Sequence, residues 1–213
     1  MKKIKNSVWK FLNNIGLGGL VQLYLDSALK DYGWFRTYHT KQSVDANGNP
    51  LPWYTYPFIA FIRERIRPEF TVFEYGSGNS TLWYARHAAF IVAVEHDKAW
   101  FDTVSLKVPD NARIIFREQG EPYIQAIHEI GQRFQIVVVD GRNRVRCALF
   151  AADYLTEDGV IILDNSQREH YQPARKALAE KGFRWLDFRG MTPIIGQEST
   201  TTVFYRDQNC LGI

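Results

Sequence analysis

Apolar runs recur along the last two-thirds of the chain, at 70–75, 90–95, 112–116, 134–140 and 159–164. They are rich in β-branched residues, and 136–139 read Ile-Val-Val-Val, as strands buried on both faces do. Helix-compatible segments lie between them, at 80–88, 98–106, 121–131 and 143–155. This alternation predicts an α/β fold with a doubly wound, mostly parallel sheet. A helix at 171–181 and strands at about 183–189 and 201–206 bring the sheet to seven strands.

The first part of the chain is patterned differently. Residues 7–30 predict helix, with Val8, Phe11, Leu12 and Ile15 on one face and Val21, Tyr24, Leu25 and Ala28 on another. Gly16, Gly18 and Gly19 divide that segment in two. Residues 40–52 are polar and turn-rich, and read as a loop or small hairpin. The aromatic cluster Trp53-Tyr54-Thr55-Tyr56 then leads into a helix through Arg67. The expected organisation is an N-terminal helical extension and loop at 1–52, followed by the main domain at 53–213.

Composition narrows the class. At 213 residues and 46% hydrophobic, the chain can bury a full core. A net charge of +3 gives no reason to expect a nucleic-acid partner. Cys147 and Cys210 form neither a disulfide framework nor a metal cluster. Lys10, Asn13 and Asn14 interrupt the apolar positions after Lys2, Lys3 and Lys5, so no secretory signal is read, and no stretch approaches transmembrane length. A cytoplasmic protein is expected. The basic first helix suits a membrane surface, but packing on the main domain or on a second subunit, as a homodimer, is the preferred reading.

The richest segment is 72–81, Val-Phe-Glu-Tyr-Gly-Ser-Gly-Asn-Ser-Thr. An apolar run ends in Glu74, Gly76 and Gly78 follow at alternate positions, and Ser80 and Thr81 open a helix. Such a strand–glycine turn–helix lets backbone approach a nucleotide-like ligand. Glu74 would repel a pyrophosphate and attract a cofactor carrying an ammonium and a sulfonium, which describes S-adenosylmethionine. Ligands in this architecture lie beyond the carboxyl ends of the strands. Acids recur there: Glu74, Glu95 in Glu95-His96-Asp97, Glu118, Asp140 in Asp140-Gly141-Arg142, and Asp164-Asn165. Glu95 follows Glu74 by 21 residues, a spacing at which an acid reaches both ribose hydroxyls.

On these residues, 53–206 resembles the class I S-adenosylmethionine-dependent methyltransferases. Glu74-Tyr75-Gly76-Ser77-Gly78-Asn79-Ser80 is similar to that family's acid-x-Gly-x-Gly-x-Gly motif, with Ser80 in place of the last glycine. The resemblance implies that Glu74 and the backbone from Gly76 through Ser77 and Gly78 to Ser80 and Thr81 hold the methionine part of the cofactor. It places Glu95 at the ribose, His96 and Glu118 beside the adenine, and Asp140 facing the methyl group and the acceptor. It also implies that the last strand runs antiparallel. A narrower similarity to catechol-type O-methyltransferases implies Mg²⁺ or Ca²⁺ at Asp140, Asp164 and Asn165. That family's lysine, three residues after the first Asp, is Asn143 here.

The expected activity is O-methylation of a small-molecule or glycan hydroxyl, the glycan following from a general resemblance to bacterial methyltransferases of polysaccharide pathways. Asp140 and His170 are the candidate bases. Trp53, Tyr54 and Tyr56 either stack on the acceptor or pack the extension onto the core. Arg142, Arg144 and Arg146 either bind an anionic acceptor or form a solvated face, the latter slightly favoured. An NAD-dependent oxidoreductase needs a glycine where Thr81 stands and does not want Glu74. Base-amine methyltransferases carry an Asp/Asn-Pro-Pro-aromatic motif where this chain has Asp140-Gly141-Arg142-Asn143. A non-catalytic binding protein of the same fold remains an alternative.

Overall fold

Alternation of side chains along four neighbouring strands organises the molecule. The structure, a computed structural model, describes residues 2–213, with side chains from Asn6 onward. The strands are β1 (Thr71–Tyr75), β2 (Phe90–Glu95), β3 (Ala112–Phe116), β4 (Phe134–Val139), β5 (Leu155–Leu163), β6 (Arg184–Met191) and β7 (Glu198–Tyr205). They form one sheet in the order β3-β2-β1-β4-β5-β7-β6. Strands β1 to β5 pair in parallel, and β7 runs antiparallel between β5 and β6. The sheet is therefore mixed. Only residues 192–197 join β6 to β7, too few for a parallel crossover, so those two strands form a hairpin.

Helices α1 (Lys2–Asn14), α2 (Gly18–Leu25), α3 (Ala28–Asp31) and α4 (Trp34–Thr40) precede the sheet. Next come α5 (Tyr56–Arg63), α6 (Asn79–His87), α7 (Lys98–Ser105), α8 (Glu121–Glu129), α9 (Arg144–Ala151) and α10 (Gln172–Glu180). Each face of the sheet has its own core. Phe73, Tyr75, Val92, Val94, Val137, Val139, Ile161 and Leu163 pack with residues of α8, α9 and α10. Their neighbours Val72, Ile91, Ile136, Val138, Val160 and Ile162 pack on the other face with residues of α5 and α6.

The departures from expectation have local causes. The first break falls at Gly16, whose φ is 76°, while Gly18 and Gly19 open α2. A second break follows Asp26, where Ser27 caps α3 by accepting from the Lys30 amide. Helix α4 carries no apolar period strong enough to have been read. At 43–51 a single bridge, Val44 to Pro50, closes the turn around Asp45. The helix expected through Arg67 ends at Arg63, and β5 starts earlier than expected, at Leu155. Tyr54 and Tyr56 are core residues, so the aromatic cluster is mainly packing. Trp53 remains half-exposed, its indole donating to Thr192 Oγ1 at 3.2 Å.

Two glycine turns meet above β1 and β4. Gly76 has a φ of 109°, which disfavours any side chain, and a Cβ there would lie 3.3 Å from the Gly141 amide. A Cβ at Gly141 would lie 2.0 Å from the Tyr123 hydroxyl and 3.0 Å from the Tyr75 carbonyl oxygen. Gly141→Ala is therefore expected to destabilise the fold by about 1–3 kcal/mol through overpacking. In urea the midpoint should fall with the m-value unchanged, and an unaltered midpoint would show that the two turns are not in contact.

Candidate active site

The alternation that builds the two cores also sets the chemistry. Glu74 continues the Val72 face of β1, Glu95 the Ile91 face of β2, Asp140 the Ile136–Val138 face of β4 and Asp164 the Val160–Ile162 face of β5. All four acids thus share the α5–α6 side of the sheet. Register aligns them further. Val94, Tyr75, Val139 and Leu163 are level across β2, β1, β4 and β5. The next positions are Glu95, Gly76, Asp140 and Asp164. In that row only β1 lacks a side chain, and Glu74 lies one step below the gap.

A cleft of 780 Å³ opens over the Glu95–Gly76–Asp140 part of this row. Its floor and walls include Glu74, Gly76, Ser77, Ser80, Glu95, His96, Trp100, Asp140 and Gly141. Asn143, Arg144, Arg168, His170 and Tyr171 line it further along. Trp100 was not anticipated, being a single aromatic in a helix with no motif around it. The Trp100 indole donates to the Ser77 carbonyl at 2.8 Å, fastening α7 to the glycine turn. Gly78, Thr81, Glu118, Asp164 and Asn165 do not line the cleft. Glu118 is exposed after β3, while its neighbour Arg117 pairs with Glu129.

Glu74 is buried, and its carboxylate accepts from the hydroxyls of Ser80 and Thr81. Thr81 Oγ1 in turn accepts from the Gly78 amide at 3.0 Å. The serine in place of the motif's last glycine thus ties the acid to the first turn of α6. Burial raises the Glu74 pKa to about 8; the two hydroxyl bonds oppose the rise, and the charges of Asp140 and Glu95 add to it. Glu95 accepts from the Ser77 hydroxyl at 2.9 Å and from the amides of His96 and Asp97 at 2.8 and 2.9 Å. One of its acceptor positions, on Oε2, stays open. His96 Nδ1 lies 2.9 Å from Glu95 Oε1 without hydrogen-bond alignment, and Arg142 Nε donates to His96 Nε2 at 3.4 Å.

Arg144 was expected in a basic stretch, yet it is buried beneath the row. Its guanidinium donates to the carbonyl oxygens of Asp140, Gly141 and Asp164 and pairs with Asp140 Oδ1 at 2.8 Å. It also stands 4.0 Å from Asp164 Oδ2. An arginine four residues after the strand-end acid, in the first turn of a helix, was the available signal. Arg146 instead pairs with Glu121 at the surface. Burial raises the pKa of Asp140, against the pull of Arg144 and Arg168. Burial likewise lifts Asp164 to about 8, with Asp140 adding to the rise and Arg144 and the Thr201 bond opposing it.

This arrangement does not fit a divalent cation. Asp164 Oδ1 accepts from Thr201 Oγ1 at 2.7 Å, and the Asn165 amide donates to Ser199 Oγ at 3.2 Å. The two carboxylates already share the Arg144 guanidinium. Among the described residues no group of three His, Cys, Asp or Glu side chains is placed to hold a metal. The donor set does fit an S-adenosyl group. The Gly76 backbone forms a cradle that a Cβ would narrow, with acids on both sides of it.

Strand order, the glycine turn after β1 and the acid that ends β2 match the class I methyltransferase fold. Solved structures share it. The O-methyltransferase from Bacillus cereus in complex with SAH aligns with a TM-score of 0.58 at 15% identity, covering 88% of this chain and 96% of that one. A precorrin-6y C5,15-methyltransferase from Geobacter metallireducens gives 0.55 at 12% identity over 71% and 87%. An rRNA methylase from Streptococcus thermophilus gives 0.53 at 14% identity over 71% and 97%. No family model matches the chain, and no curated protein sequence matches it.

The buried acids set the pH dependence of stability. An unfolded glutamate titrates near 4.5, whereas folded Glu74 titrates near 8. Between those values the folded state keeps a proton that the unfolded chain has lost, so stability falls as pH rises through this window. Asp164 acts in the same direction. The ligand-free protein should show a falling urea midpoint from about pH 5 to pH 8, with Glu74→Gln flattening the slope. A midpoint that rises over this range would contradict the burial of these acids.

Proposed function

We propose that the protein is an S-adenosylmethionine-dependent methyltransferase that methylates a hydroxyl of a small molecule or glycan without a divalent metal. The carrying observation is the row Glu95–Gly76–Asp140, with Glu74 beneath the gap. It offers a backbone surface flanked by carboxylates, suited to a ligand with an adenosyl group at one end and positive charge at the other. When bound, the cofactor supplies an electrophilic methyl group on a sulfonium. Glu95 holds the ribose through its open Oε2 position, the Ser77 hydroxyl rotating to make room for a second bond. Glu74 faces the cationic methionine end and ionises as that charge arrives. Trp100 covers the glycine turn and His96 flanks the adenine.

The acceptor lies over the other half of the cleft, among Asp140, Asn143, Arg168, His170 and Tyr171. Methyl transfer needs alignment above all, and Arg144 provides it by fixing the carboxylate of Asp140. His170, exposed on the turn Glu169–Tyr171, takes the hydroxyl proton. Asp140 is held by Arg144 and orients the acceptor. Arg168 points the acceptor class toward compounds that carry a carboxylate or phosphate near the methylated hydroxyl. A dinucleotide oxidoreductase is disfavoured, because Glu74 lies under the place its pyrophosphate would take.

Calorimetric titration tests this reading. Wild type should bind S-adenosylmethionine, and Glu95→Ala should weaken binding by about 1–3 kcal/mol, the scale of lost hydrogen bonds to a charged group. Excess EDTA should change neither binding nor turnover. Absence of binding to wild type would overturn the proposal, and EDTA-sensitive turnover would overturn its metal-free part.

A further inference from the structure

The helices α1 and α2 present a surface that the catalytic reading does not use. Residues 1–25 contain Lys2, Lys3, Lys5 and Lys10 and neither Asp nor Glu. In α1, Val8, Phe11 and Leu12 share one face at helical spacing, continued by Ile15, while Lys10, Asn13 and Asn14 lie opposite. Helix α2, Gly-Gly-Leu-Val-Gln-Leu-Tyr-Leu, is apolar nearly all round. A helix of that kind belongs inside a core or an apolar phase. Here Leu20, Tyr24 and Leu25 are each more than half exposed, and Phe11 is 62% exposed. Helices α1 and α2 pack on each other and leave this face uncovered.

We propose that the α1–α2 pair docks on an anionic lipid bilayer, with Phe11, Leu20, Tyr24 and Leu25 entering the headgroup–acyl boundary and the lysines meeting the headgroups. Charge selects this occupant. Residues 1–25 carry four lysines and no acid, so anionic headgroups neutralise the segment, whereas a second copy only adds like charge. Trp9, at the edge of the apolar face, is a residue type that settles at membrane interfaces. Among the described residues no helix is long and apolar enough to cross a membrane, so the contact is peripheral.

Flotation of the full chain with vesicles tests the proposal. Vesicles containing phosphatidylglycerol should bind the protein at least about tenfold more strongly than phosphatidylcholine vesicles, with high salt reducing the difference. Phe11→Ser with Leu20→Ser should abolish binding, and Lys5→Gln with Lys10→Gln should weaken it, both variants keeping the wild-type urea midpoint. Absence of vesicle binding, or equal binding to both vesicle types, would overturn it. So would a stable dimer in sedimentation that Phe11→Ser with Leu20→Ser dissociates, which would assign the face to a second copy.

Discussion

Four carboxylates converge at the ends of four adjacent strands, and a single buried guanidinium stands among them. Asp140 and Asp164 share Arg144; Glu74 and Glu95 rely on hydroxyl and amide donors. Burying that much like charge is unfavourable. It is tolerated because two of the acids hold protons to about pH 8 in the ligand-free state, because hydroxyl and amide donors meet Glu95, and because Arg144 pairs with Asp140. The tension is asymmetric across the row. On the β4–β5 side Arg144 relieves it permanently. On the β1–β2 side it waits for a ligand, and the geometry favours one that brings positive charge.

That asymmetry divides the cleft into two working halves. Over β1 and β2, backbone and acids form a receptive surface for an adenosyl compound with a cationic end. Beyond β4, Arg144 pairs with Asp140 and stands beside Asp164, which makes this acid pair nearly neutral without a metal. An arginine guanidinium supplies positive charge without the open coordination sites of Mg²⁺, so it orients through fixed hydrogen bonds and leaves acceptor activation to a base. His170 and Arg168 line the flank of the cleft beyond Asp140. The apolar N-terminal helices α1 and α2 do not line this cleft.

Much of this was legible in the sequence because strands buried on both faces write themselves as short continuous apolar runs. Such runs located the strands closely, and the acids that end them named Glu74, Glu95 and Asp140 as candidates, all three of which line the cleft. What escaped depended on direction rather than identity. Arg144, read with Arg142 and Arg146 as one basic stretch, turns inward because the turn at 141–143 folds the first residue of α9 back against the Asp140 and Gly141 carbonyls and the Asp140 carboxylate. Asn165 has a φ of 52° and reaches β7 rather than the cleft. Glu118 follows the edge-side strand β3 and stays in solvent. Short helices such as α3 and α4, set by caps and turns, carry no period to read.

The central claim is that the receptive half of the cleft is an unsatisfied acid site completed by a cationic cofactor. Its most direct measurement is the proton inventory of S-adenosylmethionine binding, from titration calorimetry at pH 7 in buffers of different ionisation enthalpy. Because Glu74 is protonated in the ligand-free protein and ionised beside a positive ligand, binding should release a substantial fraction of a proton, a release that Glu74→Gln removes. Binding with no proton release, or with release unchanged in Glu74→Gln, would contradict the account.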